Sequence, residues 1–479
     1  MVRDYFIYLT YWLDPFFLVY FACINMTYLI LLLLGCIRIY RRHQDIKADD
    51  YTRILRSDSL PEICFLVTAY NEAHQILEMV ENLLNLSYRY KQILIINDGS
   101  TDNTMQQLTE KYELISTPYS VEGEIPAKPI KNYYRSKLFE EIIVIDKENG
   151  HKYDALNAGL NVCTCPYFIT VDADTYIDNQ LFEQLIRPML FNPEAVAMGA
   201  SVRIRNGCTL SFNTISTYLF PSDYVTAMQS VEYLRAFLMR MGWDYAGGNY
   251  VLSGAFAIFS TKAVRYIEGY APTIANDLEI VLRLNRVFKA AKTPYKTEYL
   301  PDPTAWTEGP STLKSLGDQR TRWQRGLLES MWFHKSMFFN PRYGAFGLFV
   351  YPFLFFGEAI EAVVEMAGCI YLIVGLALNV IGGFETFLLL ATIWGFNFIY
   401  TLFCILIEEL TFKKYPRPRS FWYLCWCSLI ENFGYRQLNL IWRIRAFKGF
   451  FQRFGAIRKD SKQLNKSINN ILKKGNEKC

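Results

Sequence analysis

The stretch YFITVDADT, residues 167–175, joins a run of strand-forming side chains to two aspartates that are two residues apart. Three similar runs precede it: ICFLVTAY at residues 63–70, QILIIND at 92–98 and EEIIVID at 140–146. Helical patterns such as EAHQILEMVENLLNL, residues 72–86, lie between them. Short β-rich runs that alternate with amphipathic helices predict an α/β domain with a largely parallel sheet.

Acidic and glycine residues stand where the predicted strands end. Glu72 follows the first strand, Asp98 and Gly99 follow the second, and Asp172 and Asp174 follow the fourth. Ligands of such sheets bind at the carboxyl ends of the strands. Two carboxylates that are two residues apart and point the same way repel each other unless a cation lies between them, and hard oxygen ligands suit Mg²⁺ or Mn²⁺ bridging a diphosphate. Ordinary turn and capping chemistry is the alternative explanation of each cluster taken alone.

Three apolar runs indicate a multi-pass membrane protein. The chain of 479 residues is 51% hydrophobic and 16% aromatic, and its apolar residues concentrate at 15–37, 347–383 and 386–407. Each run reaches the roughly 20 residues that cross a hydrocarbon core. A cleaved signal peptide is the rival interpretation of the first run, but its apolar core is too long and the residues before it are hardly basic. We interpret it as a retained anchor.

Basic residues predict the orientation of these runs. Cytoplasmic loops are enriched in lysine and arginine, and two basic groups follow the first and third runs: Arg38, Arg41, Arg42 and Lys47, then Lys413, Lys414, Arg417 and Arg419. Both loops and the α/β domain are therefore expected on the cytoplasmic side of the cell membrane. The net charge of +4 reflects these loops, and no basic low-complexity tract suggests nucleic acid.

Seven motifs occur in one order: TAYNE, NDGSTDNT, ENGHKYDALNAGLN, VDADT, VLSGAFAIF, NDLEIVLRL and QRTRW. In this respect the chain resembles the membrane-embedded, processive family 2 glycosyltransferases, the group of cellulose, hyaluronan and poly-N-acetylglucosamine synthases. The likeness runs from about residue 61 to 343, and the last motif is their QxxRW sequence. It implies a GT-A (nucleotide-diphospho-sugar transferase) fold, an α/β domain with flanking α-helical transmembrane and interfacial segments.

The resemblance also implies a donor site for a UDP-sugar. Asp98 would hydrogen-bond the uracil. Asp172 and Asp174 would form the metal site and hold the diphosphate, and Asp174 would do so directly through Mg²⁺ or Mn²⁺. The remaining nucleotide- and donor-binding residues would be Ala69, Tyr70, Glu72, Lys152 and Asp154.

On the acceptor side, the resemblance assigns Asp277 as the catalytic base. It places Gln319 and Arg322 on the diphosphate and the acceptor end, and Trp323 against the acceptor sugar. The chemistry supports an unpaired carboxylate here, because the attacking hydroxyl must lose its proton as the new bond forms. The alternative is that Asp277 merely caps the helix that follows. For Trp323, the alternative is a helix that only anchors at the lipid headgroups.

Three positions depart from the family pattern. Asn97 and Asn276 stand where acidic residues are common, and His151 stands where a glycine is common. The loss of a glutamate before Asp277 is expected to lower the pKa of Asp277 if the two side chains are close. These departures put rate or acceptor preference in doubt more than activity.

The region after the QxxRW motif carries weaker patterns. Glu358, Glu361 and Glu365 recur at helical spacing inside an apolar run, so they should face protein, water or the interface. Residues 420–442 are aromatic but interrupted by polar residues, and they should dip or lie flat instead of crossing. The lysine-rich segment after Phe454 is expected to be mobile.

The predicted domains are an N-terminal transmembrane anchor (1–43), a cytoplasmic GT-A domain (55–310), interfacial helices with QxxRW (311–342), C-terminal transmembrane and interfacial helices (343–454), and a polar cytoplasmic tail (455–479). The predicted function is inverting, processive transfer of a hexosyl unit from a UDP-sugar, UDP-N-acetylglucosamine favoured, onto a β-linked polysaccharide. Expected partners are the donor, a glycan or lipid-linked acceptor, the bilayer and accessory membrane or export proteins. The alternatives are a single-addition transferase that acts on a lipid and a catalytically inactive membrane scaffold.

Overall fold

The computed structural model describes residues 2–47, 60–118, 123–179, 192–211, 214–217, 220–412 and 418–476, together with four residues between 182 and 189. Three residues of the basic group that follows the third apolar run, Lys413, Lys414 and Arg417, lie outside the described residues.

A ten-stranded sheet forms the core of the α/β domain. Its strand order is β3-β4-β5-β2-β1-β6-β11-β8-β12-β7. The strands are β1 (Ile63–Ala69), β2 (Lys91–Asn97), β3 (Leu114–Ser116), β4 (Ile130–Ser136), β5 (Ile142–Lys147), β6 (Tyr167–Asp172), β7 (Tyr176–Ile177), β8 (Ala195–Ile204), β11 (Phe256–Ser260) and β12 (Lys296–Thr307). A separate hairpin joins β9 (Thr209–Ser211) to β10 (Thr214–Thr217).

The four predicted strands are β1, β2, β5 and β6, and they lie side by side as parallel neighbours. This confirms the predicted α/β class and the parallel centre of the sheet. The pairing of Thr68 with Asp172 and of Ala69 with Asn97 places the acidic strand ends at one edge. The sequence analysis did not anticipate β11, which runs antiparallel between β6 and β8.

Helices cover both faces of the sheet. They are α2 (Ile76–Leu84), α3 (Thr104–Tyr112), α4 (His151–Val162), α5 (Tyr224–Tyr245), α6 (Thr261–Tyr266), α7 (Asn276–Ala290) and α8 (Leu313–Phe333). Two large clusters of buried apolar side chains fill the two sides of the sheet, and the consecutive β1 residues Phe65 and Leu66 belong to opposite clusters. This alternation follows from the period of two residues in a strand.

The N-terminal helix α1 (Val2–Lys47) is one continuous helix of 46 residues. Its C-terminal part packs on α5, where a Cβ added to Gly242 would lie 2.3 Å from the carbonyl oxygen of Leu31. Arg38 forms a 2.6 Å ion pair with Asp244, and Arg42 forms a 3.1 Å ion pair with Asp302. Protein therefore covers part of the predicted first span. The exposed apolar residues of the helix begin before that span, at Tyr5, Ile7 and Tyr8.

Two helices, α1 and α10 (Gly383–Thr411), contain stretches that are long and apolar enough to cross a membrane. A third candidate span is bent by 44° between Phe346–Ala359 and Glu361–Ala377, the latter being α9. Residues 420–442 cover most of α11 (Pro418–Ile430), a turn at 431–434 and the first part of α12 (Tyr435–Gln452). Neither helix is among the candidate spans of the described residues.

The expectation of a mobile tail after Phe454 is wrong. Helix α13 (Phe454–Asn476) follows α12 almost without a break. It buries Ile457, Leu464 and Ile468 in the core cluster that includes Phe333 of α8. The apolar residues of α13 are few but lie on one face of the helix. They therefore allow the helix to pack on the core although its composition is polar.

Candidate active site

A cavity of about 2370 Å³ opens at the carboxyl ends of the parallel strands. It continues between α1, α9 and α10, where its lining includes Tyr28, Glu361 and Asn397. Every predicted site residue except Asp154 lines it: Ala69, Tyr70, Glu72, Asp98, Lys152, Asp172, Asp174, Asp277, Gln319, Arg322 and Trp323. Residues more than 200 positions apart in the chain therefore meet on one surface.

The predicted metal site is rich in negative charge. Asp172 ends β6 and forms an ion pair with the ammonium of Lys152. Burial and, to a smaller extent, the nearby Asp172 carboxylate raise the pKa of Asp174 to about 6. Burial and the same two aspartates raise the pKa of Glu72 to about 7. Carboxylates crowded in this way gain stability from a cation, and their oxygens are the ligands that Mg²⁺ and Mn²⁺ prefer.

Asp98 follows β2 and is 3% exposed. Its Oδ1 accepts hydrogen bonds from Lys147 Nζ at 2.7 Å and from the backbone N–H of Gly150 at 3.0 Å. The next residue, Gly99, has φ of 69°, and an added Cβ would lie 2.9 Å from the backbone nitrogen of Asn149. This turn therefore requires glycine. The hydrogen bonds of the described residues to the Asp98 carboxylate go to Oδ1, and Asp98 lines the cavity.

The structure supplies a reason for one departure from the family pattern. Asn97 Nδ2 donates a 2.7 Å hydrogen bond to Asp146 Oδ1 on the neighbouring strand β5. An aspartate at position 97 would bring two carboxylates to that distance, which is costly in a buried setting. The amide of Asn97 is thus matched to Asp146.

Asp154 does not line the cavity, contrary to the expected role. Its Oδ1 forms a 2.6 Å ion pair with the fully buried Lys147, and both oxygens accept from the backbone N–H of Lys128. The Lys147 ammonium group binds both Asp98 and Asp154. Lys147 was not predicted as a site residue, because these partners lie on distant segments of the chain. Asp154 therefore supports the loop at Asp98 from behind the cavity wall.

Asp277 lies in the first turn of α7 and faces the cavity. The N-cap position belongs to Ala275, and Asp277 Oδ1 accepts only from the adjacent Leu278 N–H at 2.9 Å among the bonds of the described residues. A Cβ on Gly254 would lie 3.3 Å from Asp277 Oδ2, and the carbonyl of Gly254 accepts from Lys152 Nζ. Asp277 is therefore not an N-cap, and it lies close to the donor-side lysine.

The QxxRW residues lie on α8, which approaches α7 closely. A Cβ on Gly326 would lie 2.6 Å from Ala275 Cβ, so glycine permits this contact. Trp323 is 43% exposed, and the Arg320 guanidinium lies 4.5 Å from its ring centroid. Arg320 also forms an ion pair with Glu232 of α5. Arg320 lies inside the motif but was not predicted to be a site residue. The structure shows that its guanidinium group packs on the Trp323 indole.

The parallel sheet, the acidic strand ends and the membrane helices together define a membrane-associated transferase of the sugar-nucleotide class. The family described as glycosyl transferase family group 2 matches residues 167–412, just over half of the chain, and glycosyl transferase family 2 matches residues 64–121. The chain belongs to this group of family 2 glycosyltransferases.

Poly-β-1,6-N-acetyl-D-glucosamine synthase of Staphylococcus aureus strain COL is 30% identical over 273 residues, which are 56% of this chain and 55% of that protein. The synthase of the same name from Staphylococcus epidermidis is 27% identical over 299 residues, 60% of this chain and 61% of that one. The match spans little more than half the length of these relatives.

Among solved structures, the mannosyltransferase PcManGT from Pyrobaculum calidifontis, in complex with GDP-Man and Mn²⁺, has a TM-score of 0.47 and 16% identity, over 85% of this chain and 99% of that chain. Glucosyl-3-phosphoglycerate synthase from Mycobacterium tuberculosis, in complex with Mn²⁺ and UDP, has a TM-score of 0.36 and 13% identity, over 59% and 84%.

Proposed function

We propose that the chain transfers a hexosyl unit from a UDP-sugar onto a growing β-linked polysaccharide, with inversion at the anomeric carbon. The observation that carries the proposal is that the acidic strand ends, Asp277 and the QxxRW residues face one cavity that continues between membrane helices. The names of the similar synthases favour UDP-N-acetylglucosamine as the donor.

In the donor half of the site, Oδ2 of Asp98 would accept the uracil N–H, and Tyr70, which is 51% exposed, offers a flat face. Asp174 and Asp172 would hold Mg²⁺ or Mn²⁺, which when bound supplies positive charge for the leaving diphosphate. Lys152 would orient Asp172 through their ion pair. Arg322 and Gln319 would bind the diphosphate from the α8 side, where arginine matches phosphate oxygens well.

In the acceptor half, Asp277 would take the proton from the attacking hydroxyl. The acceptor oxygen then bonds to the anomeric carbon while the bond from that carbon to the phosphate oxygen breaks, so UDP leaves with the bonding electrons. A single displacement of this kind inverts the configuration. Trp323 would pack on a sugar ring of the acceptor, because C–H faces of sugars fit an indole well.

The membrane half of the cavity supports a growing chain as the acceptor. Glu358, Glu361 and Glu365 line it, in agreement with the expectation that they avoid lipid. Arg443 of α12 binds Glu361 Oε2 at 3.0 Å and the carbonyl of Glu358 at 2.6 Å. We further propose that the α/β domain is cytoplasmic and that the polymer leaves along this path.

The test is UDP release by the purified full-length chain from a panel of UDP-hexoses, with Mg²⁺, Mn²⁺ or a chelator. We expect release from UDP-N-acetylglucosamine that requires a divalent cation, and products that lengthen with time. Asp174→Ala should abolish cation-dependent release, whereas Asp318→Ala, on the exposed surface of α8, should not. Absence of release with every donor would contradict the proposed activity, and a product of one added sugar would contradict processivity.

A further inference from the structure

Two arginines outside the QxxRW motif line the cavity on its α8 side. Arg325 lies on α8, one helical turn beyond Arg322, and Arg453 is the C-cap residue of α12. An added Cβ on Gly449 of α12 would lie 3.5 Å from Arg325 Cδ, so α12 passes directly beneath this side chain. The two guanidinium groups thus come from separate helices that meet at the cavity wall.

Two carboxylates lie beside this pair but hold it loosely: Glu329 acts on both guanidinium groups and Asp460 acts on Arg453, yet neither arginine makes a side-chain hydrogen bond to a carboxylate among the described residues. Arg325 Nε lies 3.4 Å from Glu329 Oε1, but both atoms are buried and neither has a hydrogen-bond partner among the described residues. Burial lowers the pKa of the Arg325 guanidinium; the Glu329 carboxylate offsets part of this effect, and the nearby Arg453 guanidinium adds to it. Like charges held together with weak partners are stabilised when an anion lies between them.

The position of the pair is set by α13. Phe454, the first residue of α13, packs on Trp332 of α8 with ring centroids 4.8 Å apart. Ala456, Ile457 and Asp460 then line the cavity together with Tyr153 of α4, and the Asp460 carboxylate interacts with both Arg453 and Tyr153. Arg453 therefore lies between α8 and the α4 segment that carries Lys152.

We propose that Arg325 and Arg453 bind the diphosphate of the sugar nucleotide and extend the anion site formed by Arg322. The proposal rests on the proposed function, since it concerns the donor of that reaction. Guanidinium groups bind phosphate oxygens in pairs of parallel hydrogen bonds. Their charge also stabilises the UDP that departs when the glycosyl bond to phosphate breaks. The docked α13 helix is then a structural requirement of the donor site.

The experiment compares the binding of UDP and uridine, in Mn²⁺, to the full-length chain and its variants. Arg325→Ala and Arg453→Ala should each weaken UDP binding by roughly ten- to a hundredfold, the range for hydrogen bonds to charged groups. Uridine lacks phosphates, so its affinity should not change. Arg453→Lys keeps the charge without the fork and should recover part of the loss. Arg458→Ala is the matched control, because Arg458 is exposed on α13 and does not line the cavity.

Three results would overturn the proposal. UDP affinities that stay within about twofold of wild type would exclude a diphosphate contact of useful strength. An equal loss of uridine and UDP binding, with a lower melting temperature, would show a purely structural role. Unchanged UDP binding with weaker retention of phosphatidylglycerol in nanodiscs would identify a lipid phosphate as the anion. If the wild-type chain binds no UDP at all, the proposed function itself fails, which is a separate outcome.

Discussion

Helix α7 carries two carboxylates, two residues apart, in opposite situations. Glu279 is fully buried, and its oxygens bind Arg283 Nη2 at 3.0 Å and His334 Nε2 at 3.0 Å. Asp277 faces the cavity and accepts only the N–H of its neighbour among the described residues. A carboxylate that a buried arginine and a buried histidine both bind is committed to the fold, whereas one without such partners remains available to a substrate. The same contrast separates Asp154 from Asp174.

The largest effect on stability is expected at Glu279. Glu279→Gln leaves the buried Arg283 without its counter-charge, and breaking a buried ion pair costs about 3–5 kcal/mol. Thermal unfolding in detergent should therefore show a strongly lowered melting temperature, while Asp277→Asn should melt as the wild type does. A Glu279→Gln protein that melts normally would remove the distinction between the two carboxylates.

A smaller effect is expected from pH through His334. Burial lowers the pKa of His334 to about 4, from an ordinary value near 6.5. The unfolded chain then takes up a proton first as the pH falls below about 6.5, so folding stability is lost toward pH 4. At pH 5 this amounts to about 2 kcal/mol relative to pH 7.5. Melting temperatures at the two pH values should differ less for His334→Gln than for wild type, and His74→Gln, an exposed site, should behave as wild type.

The smallest effect concerns two tryptophans of α8. Trp323 is exposed to the cavity, whereas Trp332 packs between Lys335 and Phe454. Trp323→Ala should remove a stacking face of roughly 1–2 kcal/mol, a five- to thirtyfold change in acceptor occupancy, so polymer becomes shorter while UDP binding persists. Trp323→Phe should recover part of the length.

Product length per folded molecule is the readout, and Trp332→Ala is the structural contrast. It should lower the melting temperature without shortening the product of the protein that folds. If Trp323→Ala does the same, Trp323 serves the fold or the membrane interface and not the acceptor.

The parallel centre of the sheet was predictable because β1, β2, β5 and β6 are short, β-branched and bounded by turn residues. The grouping of Glu72, Asp98 and Asp174 at one edge followed from parallel strand ends. The antiparallel strand β11 was missed, since its sequence also fits a parallel strand and only its neighbours determine its direction.

Long-range pairing accounts for the other errors. The apolar face of α1 reads the same whether lipid or α5 covers it, so the contacts of α1 with α5 were not predicted. Asp154 could not be separated from Asp98, because Lys147, which binds both, is recognisable as their partner only in three dimensions. The apolar face of α13 was not predicted, because the many lysines of the segment indicated a mobile tail. Leu464, Ile468 and Ile471 nevertheless follow a helical period.

The most direct test of the contrast on α7 is to measure glycosyl transfer and UDP affinity for Asp277→Asn in the same preparation. Asparagine keeps the shape of the side chain but cannot accept the acceptor proton. Transfer should fall by about 100- to 10,000-fold, the range for loss of a general base. UDP affinity should remain that of wild type, because the base acts on the acceptor and not on the nucleotide. Transfer at the wild-type rate, or a loss of UDP affinity equal to the loss of transfer, would contradict the assignment of Asp277 as the base.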